Sequence, residues 1–430
     1  MGTTSQRKGL SGRVLTWGGF ALALVLAPLL LSSSLWLNIL SQMGYLIIIC
    51  LSYNMKLGQG GMLSFGHAVY TGLGSFAAVI AITYFSRHGI GVPLVLVPLV
   101  GGLVGALVAV PLGYVSTKKA GTTFAMISLG IGELVVAIAI MLPDVFGGDG
   151  GISINRTDGP PLLGVTFGPQ IQVYYLIAAY CFVCTALMFA FTGTPLGRML
   201  NAVRDNPERV AFIGFNTQLV RWYAFIISGF FAGIGGALAA INFEIFNSAD
   251  ALSGLKSGAY LLFTFLGGVT FFFGPIIGAV LMVLASVLLS ELTSAWLLYL
   301  GLVFLLMVMY APGGVASLVM INVRMARFGK LRRFWGLYGG LLLTGLVMML
   351  GVAALVEMIY HRQLNAGAGP VTHYLGLALD TRAALPWLGA AALALVGWGL
   401  LEGVRRRFAR AWGAAQEEIE TEMHARGQQA

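Results

Sequence analysis

The side chains best placed to do chemistry lie in one segment, Gly58-Gln-Gly-Gly-Met-Leu-Ser-Phe-Gly-His-Ala-Val-Tyr-Thr-Gly-Leu-Gly74. Six of its seventeen residues are glycine, and Gln59, Ser64, His67 and Tyr70 stand among them. So much glycine is poor material for an ordinary lipid-facing helix. Irregular backbone at membrane depth is tolerated only inside protein or along a water-filled cavity, and broken helices line solute paths in many transporters. The segment therefore reads as a translocation element, with tight glycine packing around a satisfied histidine as the plainer alternative. Glu133, inside the apolar stretch 121–142, is the other candidate. A charge at the bilayer centre costs about 2.5–3.5 kcal/mol on insertion scales, so Glu133 should face a bundle interior or a cavity. A protonated, packed Glu133 fits as well as a pathway residue.

Other chemistries find no footing. There is no G-x-S-x-G elbow, no pair of catalytic carboxylates and no G-x-x-x-x-G-K-[ST] phosphate loop. The five histidines are dispersed without a metal-ligand grouping. Cys181 and Cys184 have C-x-x-C spacing but sit in the apolar run Tyr174–Phe191, which suits two packed thiols better than a redox pair. No enzymatic activity, bound cofactor or metal is expected. ATP, if it drives transport, must be used by another chain.

The elements that must position these residues are membrane helices. Of 430 residues 58% are hydrophobic and only 10% charged, far below the charge of a soluble domain. The fold class is all-α, a polytopic transmembrane helix bundle. Twelve spans are expected, about 10 in the core and about 2 at the C-terminus, each near the 20 residues that a helix needs to cross. They fall at 14–32, 36–56, 64–85, 92–115, 121–142, 172–192, 222–243, 257–272, 275–292, 295–311, 336–359 and 386–404. The start of the third is Gly-rich and suits a broken helix. The first follows Arg7, Lys8 and Arg13 without a small-residue cleavage site, so it reads as a span rather than a removed leader.

The net charge of +9 is explained by topology, not by nucleic acid. With the N-terminus in the cytoplasm, twenty of the 25 Lys and Arg fall inside, Lys56 among them, and five outside. Both termini are then cytoplasmic, and 143–171 and 360–385 are external. Gly101/Gly105, Gly229/Gly233 and Gly274/Gly278 have the G-x-x-x-G spacing that lets helices approach closely.

The segment 193–221 is long for a connector on the inner side. Asn206 suits an N-cap, Pro207 the first helical position and Gly214 the stop, which predicts a short helix over Pro207–Ile213. A second short helix is expected over Pro195–Arg204. Val210, Ala211, Phe212, Ile213 and Phe215 make an apolar face with no use in a solvated loop, so docking of another protein competes evenly with a basic connector.

These segments together resemble a known family. Gly58-Gln59 through Ser64-Phe-Gly66-His67 resembles the "GQxSLGHA" signature of branched-chain amino acid ABC transporter permeases of the LivM/LivH type. Gly197-Arg198 through Ala202, Arg204, Asn206-Pro207, Ala211-Phe212 and Gly214 resembles that family's coupling loop. Leu266-Gly-Gly268 with Phe273-Gly-Pro275, and Tyr310-Ala-Pro312-Gly-Gly314, resemble its later motifs. The four stand in family order over about residues 35–318. The N-terminal span and the Phe146–Gly151 loop favour the LivM half. Met62 and Phe65 depart from the usual residues around the serine, and residues 319–430 extend beyond the usual end.

The resemblance implies domains 1–318, the permease, and 319–430, an extension with two spans and a charged cytoplasmic tail. It implies a multi-pass protein of the bacterial cell inner membrane, a second, LivH-like permease subunit, two ATPase subunits and a periplasmic substrate-binding protein as partners. Coupling falls to Gly197, Arg198, Ala202, Arg204, Asn206, Pro207, Ala211, Phe212 and Gly214, with Arg204 and Arg209 as rim charges. The cargo is expected to be branched-chain or other hydrophobic amino acids, with urea, short amides or aromatic acids as alternatives within the class. The competing class is an ion-coupled secondary transporter using Glu133 and His67 as a proton relay. It would have no need of an apolar docking helix. Membrane lipid is expected at the basic junction Arg324, Arg327, Lys330, Arg332 and Arg333.

Overall fold

The computed structural model describes residues 3–88, 92–157, 165–311, 313–329, 331–364, 369, 371–374 and 377–427. Pro312, Lys330, part of the predicted external loop 143–171 and part of 360–385 lie outside the described residues, as do the side chains of Arg7, Lys8, Arg13 and Arg327. The described chain is mostly helical. Its first helices are α1 Thr3–Leu30, α2 Ser34–Asn54, α3 His67–Arg87, α4 Val97–Ser116, α5 Gly121–Met141 and α6 Pro143–Phe146. Then come α7 Gln170–Gly193, α8 Pro195–Asp205, α9 Pro207–Phe212, α10 Thr217–Phe243, α11 Ser248–Ala251 and α12 Gly254–Gly267. The last are α13 Gly274–Leu292, α14 Trp296–Tyr310, α15 Gly314–Arg327, α16 Trp335–Leu364 and α17 Ala384–Gly427.

Among the described residues nine helices are long and apolar enough to cross a membrane, or ten if α14 and the helix after it, bent by 51°, form one span. The sequence places twelve. The difference lies in two short elements: the apolar part of α1 covers only Leu15–Leu30, and α12 has 14 residues. Both fall short of a full crossing.

The chain divides into two compact units, Met1–Val287 with Phe304–Ser317, and Leu288–Val303 with Leu318–Ala430. In the first, α10 is the central helix, and glycine explains why. Gly101 and Gly105 on α4 face the carbonyls of Gly233 and Gly229, and Gly233 and Gly229 face those of Gly101 and Gly105 in return. Two of the G-x-x-x-G pairs are thus halves of one crossing. Gly74 of α3 meets Gly233 as well, and Gly235 lies against Ile49 and the Tyr45 carbonyl of α2. Gly236 presses on the Thr71 carbonyl, while Ser75 donates a 2.7 Å hydrogen bond to the Gly236 carbonyl. The third pair, Gly274/Gly278, packs α13 on the end of α12 at Gly267 and Phe263. Cys181 and Cys184 are buried free thiols on α7.

One end of this unit is closed by a two-residue antiparallel pairing of β1 Ile152–Ser153 with β2 Ile245–Phe246. Arg156 donates to Gln170 Oε1 at 3.0 Å and to the Gly168 carbonyl at 2.8 Å. Gln170 donates to Asn242 and Asn242 to Asn38. The second unit pairs α16 with α17 through Gly351 against Ala390 and Ala394, and Gly397 against Met348. A hairpin of β3 Val371–Tyr374 and β4 Leu377–Asp380 lies between them in sequence. Thr293 and Tyr299 both donate to Glu357 of α16, which satisfies a carboxylate in an apolar helix.

Gly236→Ala should be destabilising, because the new methyl meets backbone that cannot move aside. A cost of about 1–3 kcal/mol is expected for such overpacking. Gly130→Ala, with nothing within 4 Å, should leave stability unchanged or slightly raised. Thermal unfolding of the detergent-purified protein measures both. Equal melting of the two variants would contradict the close α3–α10 approach.

Candidate functional site

The glycine-rich segment is a break between two buried helices. α2 runs into a π-helical turn, Met55–Gln59, and regular helix resumes at His67. Gly61 has φ +64, a left-handed conformation that glycine adopts without steric cost. Gly58 is required for a different reason: a Cβ there would collide with Asn54 Oδ1 and the Val269 carbonyl. The break therefore touches the Gly268–Val269 region that carries the third family-like motif.

A broken backbone leaves carbonyls and amides without helical partners. Here side chains from four helices supply them. Tyr53 of α2 donates to the Ser64 carbonyl at 2.8 Å. Ser128 of α5 accepts from the Phe65 amide at 3.0 Å, and Ser257 of α12 accepts from the Ala68 amide at 2.9 Å. The guanidinium of Arg204, at the end of α8, donates through Nη1 to the Gly58 carbonyl.

His67 is the hub of the break. Its Nδ1 lies 3.3 Å from Lys56 Nζ and its Nε2 lies 3.1 Å from Ser52 Oγ. Ser52 Oγ donates to the Ile49 carbonyl at 2.7 Å. The serine proton is thus spent, so Nε2 donates to Ser52 and Nδ1 accepts from the lysine. The Lys56 amine sits 4.1 Å from the Tyr70 ring centre and 3.9 Å from that of Phe225, a cation–π arrangement. Tyr53 packs edge-on to His67 with 4.9 Å between ring centres. Tyr260 approaches the imidazole from α12.

Gln59, Ser64, His67 and Tyr70 are all buried at this break. His67 and Tyr70 meet through their rings at 6.4 Å. Asn54 Oδ1, Gln59 Oε1 and Ser64 Oγ are buried with no hydrogen-bond partner among the described residues. Glu133 is not part of the cluster. It lies on the exposed face of α5, where its Oε1 would be 3.3 Å from a Cβ at Gly254. Sequence reasoning missed Lys56, counted there as an inner-loop charge. It is fully buried. The available signal was its spacing: Lys56 follows Ser52 by one helical turn at the end of the apolar run 45–51.

The 193–221 segment folds as two short helices. Thr194 caps α8 by accepting from the Gly197 amide at 3.1 Å, and a Cβ on Gly197 would strike the Phe191 carbonyl. Leu200 and Val203 anchor α8 in the core, leaving Arg198 and Ala202 exposed. Asn206 caps α9 by accepting from the Arg209 amide at 2.9 Å, and Pro207 takes the first helical position. Gly214 has φ +95. Val210 faces inward, while Phe212 is 89% and Ile213 74% exposed, and Ala211 is exposed beside them. Arg204, expected at the rim, instead points to Gly58 and pairs with Asp205 at 2.8 Å.

Comparison with known proteins adds the family. Residues 35–312 match the family described as the permease component of branched-chain amino acid transport systems. The LivM high-affinity branched-chain amino acid permease of Salmonella typhimurium is 27% identical over 290 residues, covering 63% of this chain and 67% of that protein. A nucleoside ABC transporter permease, NupC of Lactococcus lactis, is 26% identical over 219 residues, covering 48% of this chain and 67% of that protein. A probable LivM of Methanocaldococcus jannaschii is 25% identical over 326 residues, covering 64% and 92%. No solved structure matches the chain. A permease component of this kind works with ATPase and binding-protein partners and is not itself the catalyst. The chain is a multi-pass membrane protein that belongs to the family of branched-chain amino acid transport system permease components.

Proposed function

We propose that this chain is the transmembrane permease subunit of an ATP-driven importer that moves branched-chain or other hydrophobic amino acids across the bacterial inner membrane. The observation that carries the reading is α9. It is a capped helix, anchored by Val210, that presents Ala211, Phe212 and Ile213 to the outside. An apolar face of this kind requires a partner, and a groove on an ATPase subunit is the partner that an ABC permease needs. Closure of two ATPases on ATP would move α8 and α9 and switch access to the path. A second, LivH-like permease subunit completes the path, and a periplasmic binding protein delivers the solute. The α9 end faces the cytoplasm, with both termini on that side. Arg324, Arg332 and Arg333 meet anionic headgroups, and residues 319–430 form an appendage to the permease proper.

The path runs by the break, which holds the unspent polar atoms of Gln59 and Ser64 as well as the His67 cluster; Glu133, on the exposed face of α5, stands apart from it. An amino acid cargo is favoured by the two LivM relatives; a nucleoside is the second reading, favoured by the NupC relative. Uptake of labelled leucine by the reconstituted transporter, with excess unlabelled valine, adenosine, urea or phenylalanine, separates them. Competition by valine supports the proposal, and competition by adenosine alone overturns it.

Three sets of variants test the rest. Ala211→Glu should release the ATPase on co-purification while leaving the permease inserted, whereas Arg209→Gln should do little, since exposed charge pairs are worth under about 1 kcal/mol. Retention of the ATPase by Ala211→Glu sinks the docking role. Ser64→Ala and His67→Ala should lower uptake by about tenfold or more, equal to about 1.4 kcal/mol of lost interaction, and unchanged rate and selectivity would remove them from the path. For topology, a cysteine at Thr157 should react with an impermeant maleimide from the periplasm and one at Glu208 only after permeabilisation. The reverse pattern would invert the orientation.

A further inference from the structure

The Arg204 contact joins an exposed charged side chain of α8 to the backbone of the break. The π-helical turn Met55–Gln59 ends with its carbonyls short of helical partners. The turn meets part of this need itself: the Gly61 amide donates to the Leu57 carbonyl and the Met62 amide to the Lys56 carbonyl, both at 2.9 Å. For the Gly58 carbonyl the described partner is Arg204. Asp205 holds the same guanidinium through Nε at 2.9 Å and Nη2 at 2.8 Å, which aims Nη1 at the turn. Arg204 Cγ lies 3.0 Å from where a Cβ on Gly61 would stand, and Leu200 Cδ1 lies 3.2 Å from that of Gly60. The end of α8 thus seats on bare glycine backbone, where no side chain can cushion a displacement.

We propose that Arg204 is a positioning residue that ties α8 to the π-helical turn, so that movement of α8 carries the turn, and with it Lys56 beside His67. A π-helical turn suits this use, because such turns are found where helices deform at functional sites. A planar guanidinium suits it too. It can hold a carboxylate and a carbonyl at once in fixed directions, which the single ammonium of a lysine cannot. The inference rests on the reading of α9 as the ATPase dock.

The test uses the assembled transporter in lipid nanodiscs. Leu57→Cys reports on the turn and Glu208→Cys on α9; the three native cysteines are buried. Maleimide labelling rates are compared with and without ATP plus vanadate. In the parent both reporters should change severalfold on nucleotide trapping. With Arg204→Ala the Glu208→Cys response should remain and the Leu57→Cys response should be lost, with Arg204→Lys restoring only part of it. A merely structural role would depress both reporters together. A full Leu57→Cys response in Arg204→Ala overturns the inference, as does a parent in which Glu208→Cys responds and Leu57→Cys does not. Silence of both reporters in the parent instead removes the docking reading. If neither Arg204 variant assembles with the ATPase, the inference is also contradicted, because it gives Arg204 no role in assembly.

Discussion

Backbone that leaves helical form inside an apolar bundle must find its hydrogen bonds within the protein, since lipid offers none. The break after Gly58 is where this constraint acts, and much of the surrounding structure answers it. Tyr53, Ser128, Ser257 and Arg204 each spend a polar atom on a backbone group of the segment. They come from α2, α5, α12 and α8. The break is therefore the point at which four helices are fixed with respect to one another. It is also where an amine, an imidazole and three tyrosine rings sit together inside the bundle.

A second constraint sets the frame. α10 meets α4 at Gly233/Gly101 and Gly229/Gly105, and α3 at Gly233/Gly74, so at these points the helices meet backbone to backbone. Interfaces of this kind have little freedom to slide. The contrast with α9 is plain. That helix is six residues long, holds the bundle chiefly through Val210 and turns its largest apolar side chains outward. A rigid α3–α4–α10 frame with a lightly held helix at one end is the mechanical arrangement that an externally driven gate requires.

Much of this could be read from residue types. The G-x-x-x-G pairs on α4 and α10 announced close approach, though spacing alone could not say that they pair with each other. The cap and stop of α9 were legible in Asn206, Pro207 and Gly214, because each residue has one backbone state it serves well. The break was legible in its glycine content. Lys56 and Arg204 were not. A basic residue near a span end counts as a loop charge on statistics; the burial of Lys56 against Phe225 and the contact of the still exposed Arg204 with Gly58 depend on partners distant in sequence. Glu133 shows the opposite limit: its place in a span was clear, but the side chain faces away from the core of its own chain.

ATP-driven movement entering at α9 is the step on which transport by this chain depends. Its most direct test is uptake by proteoliposomes containing the assembled transporter and binding protein, with ion gradients and membrane potential collapsed by ionophores. Solute should accumulate when ATP is supplied on the α9 side and should not when ATP is withheld. Accumulation that follows an imposed proton or sodium gradient and ignores ATP would contradict the account.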